Sequence, residues 1–121
     1  MTEAFRSIGD QLRFAIEKKH LIRVRYHDKL RLAEPHDYGL HNGKERVLVY
    51  QLQQLGASAA KGRATGWRLL DVSGIQDCVV EETRFPGSRG NQHRNHLEWE
   101  TVYARVTLVA MAGALVGSYY R

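Results

Sequence analysis

Residues 34–51 read "EPHDYGLHNGKERVLVYQ", and the first half of this stretch decides the fold. Asn42-Gly43 is a two-residue turn of the kind that joins antiparallel strands, since both residues take positive φ with little strain. Residues 47–52 supply the returning strand, apolar on both faces. Before the turn, plain alternation is interrupted by Pro35, His36, Tyr38, Gly39 and His41. Proline cannot donate to a ladder and is disfavoured inside a central strand. The segment therefore reads as a bend set by Pro35 and Gly39, and two accounts of it stay open. In one, His36 and Tyr38 stand at the rim of a ligand site. In the other, a buried histidine holds the bend.

Toward the amino terminus, residues 30–33 form a short strand that stops at Pro35, after a turn at Asp28. Ile22, Val24 and Tyr26 alternate with Arg23, Arg25 and His27. That period of two predicts a half-buried strand with one cationic face. The face reads first as solvated, and Lys29 and Arg31 just beyond the turn add weight to a functional reading. Earlier still, Phe5, Ile8, Leu12, Ala15 and Ile16 recur at helical spacing. They predict one amphipathic helix over residues 4–20, with Lys18, Lys19 and His20 at the negative end of its dipole.

Toward the carboxyl terminus, residues 55–66 are rich in Gly and Ala without periodicity and read as a long mobile loop. A strand over residues 67–70, a turn at Ser73-Gly74 and a longer strand over residues 76–85 follow, ended by Pro86-Gly87. "GSRGNQHRNH", residues 87–96, is a polar loop, and β-branched residues return from Thr101 to Val109. The apolar run "VTLVAMAGALVG" at residues 106–117 is too short to span a bilayer, which takes roughly twenty residues. Residues 107–121 are expected as an apolar extension buried across a homodimer.

A chain of 121 residues buries roughly two thirds of the surface its unfolded form exposes, and residues 1–121 are read as a single domain. Two prolines and no low-complexity run exclude a disordered chain. The polar start carries no apolar leader, and the single cysteine, Cys78, has no internal disulfide partner. Both point to the cytoplasm, with Cys78 as a small buried hydrophobe. The net charge of +5 is uneven, because residues 1–31 carry eight Lys/Arg against four Asp/Glu. Thirteen of the eighteen cationic residues are Arg, whose planar fork suits phosphate and carboxylate. This points toward an anionic partner, although inert basic proteins share the same balance.

Other chemistries find little support. His93 and His96 stand three apart and His36 and His41 five apart, but neither pair has the further ligands of a closed metal site. Ser58 and Ser73 lack a nucleophile-elbow context, and "GASAAKG" lacks the Ser or Thr that follows Gly-Lys in a phosphate loop. Glu81 and Glu82 are strand neighbours facing opposite ways, which defeats acid–base pairing. Neither an enzyme nor a resident cofactor is expected.

Several runs in order carry a family resemblance: "IRVRY" at 22–26, "RLAEP" at 31–35, "RVLVYQ" at 46–51 and "GWRLLDVSGI" at 66–75. Together they resemble the WYL domain, an Sm-like or SH3-like antiparallel β-barrel of bacterial regulators. Val47-Leu48-Val49-Tyr50 stands where the signature Trp-Tyr-Leu would be, marking a divergent member, and no helix-turn-helix segment precedes the barrel. The resemblance implies an amino-terminal helix (4–20) on a barrel (21–106). Its implied function is ligand sensing, by binding a nucleotide or single-stranded nucleic acid, in transcriptional regulation with a separately encoded regulator protein. Carried over by position, the binding residues are Arg31, Tyr50, Trp67 and Arg68. The residues themselves add Arg23, Arg25, His36, Tyr38 and Gln51.

Neighbours on a strand face opposite ways, so Trp67 and Arg68 are not expected on one ligand. Trp67 and Tyr50 stay open between core packing and base stacking. A different class of reading also fits, in which the chain is a protein-interaction module assembling through an edge strand and its apolar tail.

Overall fold

The computed structural model describes residues 5–56, 65–90 and 97–107. Helix α1 (Ile8–Lys18) is followed by strands β1 (His20–Tyr26), β2 (Lys29–His41), β3 (Lys44–Leu55), β4 (Gly66–Asp71), β5 (Ile75–Arg84) and β6 (Thr101–Arg105), with a 3-10 turn over Val72–Gly74. Strands dominate, all pairings are antiparallel, and the sheet order is β4-β3-β2-β1-β5, with β6 also on β2. The path is open at β4 and β5 among the described residues. Those pairings therefore do not make the closed barrel expected from the sequence.

The helix is shorter than its apolar spacing suggests, and both ends have local causes. Ser7 is the N-cap, its hydroxyl accepting from the Asp10 amide at 3.0 Å, which satisfies one of the orphan amides of the first turn. At the other end Lys19 turns left-handed, φ 63° and ψ 48°, and the chain leaves directly into β1. Leu12, Ala15 and Ile16 are the buried stripe of α1. They pack with Ile22, Val24, Ala33, Val47, Val49 and Leu70 from one face of the sheet. Arg23 and Arg25 project from the other face of β1 and are exposed, as their alternation predicts.

Both hairpins flanking β2 close with two positive-φ residues, His27-Asp28 (52° and 60°) and Asn42-Gly43 (52° and 78°). This handedness matches the twist of paired strands. The expected break at Pro35 is replaced by one continuous strand. β2 runs through Pro35 and shifts register against β3 between Leu32 and Ala33 and again between Pro35 and Asp37. The reason lies on its other edge. β1 pairs with β2 only as far as Ala33, and β6 takes over that edge from Asp37. Pro35 falls between the two partners, where the missing N–H removes no ladder bond on that edge. Cys78 is buried, as expected for a small hydrophobe. Residues 57–64 of the Gly/Ala loop, Ser58, His93, His96 and the extension from residue 108 lie outside the described residues.

Candidate functional site

Directly paired residues of an antiparallel sheet share a face, and this sorts the nine candidate residues into groups. Arg31 lies opposite buried Val24, Gln51 opposite buried Ala33, and Arg68 opposite buried Val49. These three therefore share the core-bearing face, toward its β4 end. Arg31 donates from one terminal nitrogen to Gln51 Oε1 at 3.0 Å and from the other to the Tyr26 carbonyl at 3.3 Å. Its guanidinium carbon stands 5.6 Å from the Tyr26 ring centroid. The Arg31 Nε is buried and meets no hydrogen-bond partner among the described residues. Burial first, and then the charge of Arg68, pull the Arg31 pKa below the usual arginine range. Both causes disfavour the cation. Arg68 folds back to donate to the Trp67 carbonyl at 3.0 Å, passing close to Gly66, where a Cβ would come to 2.9 Å from its terminal nitrogen.

The opposite face carries the aromatic group. Glu34, Tyr50 and Trp67 are opposite one another across β2, β3 and β4. Tyr50 and Trp67 meet edge to face with ring centroids 5.2 Å apart, and His36 meets Trp67 at 4.9 Å. Glu34 is fully buried. Its carboxylate accepts from Arg89 Nε at 2.9 Å and from an Arg89 terminal nitrogen at 3.0 Å. His36 Nε2 lies 2.9 Å from the same carboxylate. The Arg89 guanidinium lies over the Tyr50 ring, 3.6 Å from its centroid, and Phe85 stacks at a tilt on His36 at 5.5 Å.

The remaining candidates are elsewhere. Tyr38 is buried on the core face beneath α1, donating to Glu45 at 2.9 Å and contacting Tyr103. Burial, then the hydrogen bond to Glu45, push its phenol up to about 12. Arg23 is on the outer face of β1 and pairs with Glu81 at 2.5 Å. His36 and Tyr38 are thus interior residues of β2 rather than the rim of an opening, and the account of a buried histidine at the irregularity describes His36. The acidic and basic partners Glu34, Arg89, Asp37 and Arg105 were not singled out by sequence. Glu34 and His36 two apart on a strand offered a signal, an acid and an imidazole on one face. Arg89, in a polar loop, offered none.

Among the described residues no group of three or more His, Cys, Asp and Glu is placed to hold a metal ion. No helix among them is long and apolar enough to cross a membrane. No family model matches this chain, and no curated protein or solved structure matches it either.

Proposed function

We propose that this chain is a divergent, stand-alone WYL-like module of the small-barrel kind. In this reading it serves cytoplasmic regulation by binding a nucleotide or single-stranded nucleic acid, as a homodimer working with a separately encoded regulator. The observation that carries the reading is the Arg31–Arg68 pair. Two guanidinium groups lie within electrostatic reach of each other on a partly buried face, and one keeps a buried N–H without a partner among the described residues. A phosphate is the anion whose geometry suits such a pair. β4 is an edge strand among the described residues, so the phosphates of a single strand of nucleic acid passing along it are held by Arg31 and Arg68 on the core-bearing face. Cations for phosphates are one of the two needs of single-strand binding, and the aromatic group on the opposite face is a separate stacking surface.

The test is fluorescence polarisation with labelled single-stranded and duplex oligonucleotides at two salt concentrations. Arg31→Ala and Arg68→Ala are each expected to weaken single-strand binding by roughly tenfold, the scale of a lost hydrogen bond to a charged group, and to flatten the salt dependence. A folded protein that binds no oligonucleotide at low salt would overturn the reading.

A second reading, a protein-interaction module, draws on the sheet edges left open among the described residues and on Val79 and Val102, exposed at 45% and 41%. It requires that charge reversal at Arg23, Arg25 and Arg31 leave assembly intact while truncation after Arg105 abolishes it. Loss of assembly on charge reversal alone would count against it.

A further inference from the structure

We infer that residues 85–90 form a removable strap, latched by Arg89 over the Tyr50 ring, which closes the aromatic face until a nucleobase takes the place of the guanidinium. The inference rests on the nucleotide reading above. The strap is tied along its length. The Phe85 amide donates to the Lys19 carbonyl at 2.9 Å, and the Ser88 amide donates to the Thr107 carbonyl at 3.1 Å. At its far end Arg89, with 15% of its side chain exposed, reaches back to the fully buried Glu34 carboxylate.

The contact with Tyr50 resembles what a ligand would make. A planar guanidinium 3.6 Å from the ring centroid occupies the stacking position of a planar base. Cation–π and base–aromatic contacts are of comparable strength, so exchanging one for the other is nearly balanced. Beside the backbone bonds of Phe85 and Ser88, the latch at the far end is the two-point ion pair from Arg89 to Glu34, charge-assisted and bidentate. A nucleotide supplies the replacement over Tyr50, a planar base in the position the guanidinium leaves.

The latch makes a prediction opposite in sign to simple charge loss. Removing a cation ordinarily weakens the binding of an anion. Removing Arg89 should instead strengthen single-strand binding, because the stacking position is vacated.

Two experiments on the full chain decide it. Glu34→Gln keeps Arg89 as a trypsin target but weakens the latch. Cleavage after Arg89, measured relative to cleavage after Arg25 in the same sample, is expected to rise about fivefold through local opening. An unchanged ratio in the folded variant overturns the strap. If Glu34→Gln does not fold, hydrogen exchange in Arg89→Gln takes its place: the Ser88 amide should lose protection while the Val49 amide keeps it. Equal protection of Ser88 in Arg89→Gln and the native protein overturns the strap.

In the second experiment Arg89→Gln is expected to bind a single-stranded oligonucleotide about threefold more tightly, with the gain lost when Tyr50→Ala is added. Weaker or equal binding overturns the gate. If neither the native protein nor any variant binds oligonucleotide, the nucleotide reading falls and the gate with it. The cleavage ratio still decides whether the strap opens.

Discussion

Gly39 has no side chain because β6 leaves no room for one. A Cβ there would run into the Thr101 carbonyl oxygen and come to 3.0 Å from Val102 Cα. Both are backbone atoms of β6, so neither can swing aside as a flexible side chain would. Gly39→Ala is therefore expected to push β6 off β2 at a cost of about 1–3 kcal/mol. The measurement is the urea midpoint, which should fall while the slope stays unchanged. An unaltered midpoint would mean that the β2–β6 ladder absorbs a methyl group.

Single residues were legible in the sequence where their cause is local. Arg23 and Arg25 alternate with apolar neighbours and are exposed, and Cys78 is buried. Gly39 was read as a residue that sets a bend, whereas its task is a close approach by a strand that follows about sixty residues later. The Glu34–Arg89 pair joins positions 55 residues apart, and no local pattern announces such a contact.

Among elements, α1 ends at a residue poorly suited to its conformation. Lys19 holds a left-handed backbone, which costs a residue with a Cβ about 1–2 kcal/mol and glycine little. Lys19→Gly is therefore expected to stabilise the protein by about 1 kcal/mol, seen as a higher denaturation midpoint. The backbone bond from the Phe85 amide to the Lys19 carbonyl should be unaffected. A lower midpoint would show that the lysine side chain contributes more than its backbone conformation costs. The apolar spacing located this helix but overran both ends. The capping pattern of Ser7 three residues ahead of Asp10 marks its start, and only the left-handed turn at Lys19 marks its end. β2 was legible only up to Pro35, and its second half, ahead of the Asn42-Gly43 turn, reads from sequence as a bend. That the two halves are one strand depends on β1 and β6 sharing its edge, a tertiary fact that no propensity encodes.

At the scale of the whole molecule, burial of two titratable groups lowers stability on the alkaline side. The Cys78 thiol is pushed from 9.0 to about 12, by burial first and Asp77 second. The Tyr38 phenol is pushed from 10.0 to about 12, by burial first and Glu45 second. Between those values the unfolded chain has released both protons while the native protein still holds them. The stabilisation is therefore complete below about pH 9 and is lost progressively as pH rises toward about 12. Denaturant titrations across this range should show the decline, and Cys78→Ala should remove its earlier part. Stability that stays flat through the range would show that neither group keeps its proton on folding.

The uneven distribution of arginine and the predominance of strands were readable from the sequence, since both follow from composition and period. That Trp67 and Arg68 face opposite ways was readable from strand alternation, but that Arg31 shares the face of Arg68 and Tyr50 that of Trp67 was not. It follows from the cross-strand register, which bulges in β2 adjust.

The partner change along β2 also orders events in time. β1, β2 and β3 form a meander closed by two-residue turns, so their pairings are local in the chain, whereas the Asp37–Arg105 contact spans 68 residues. Local contacts form early and distant ones late. β6 is accordingly expected to dock after the rate-limiting step of folding. The stability lost in Gly39→Ala should then appear almost wholly as faster unfolding, with the refolding rate left near that of the native chain.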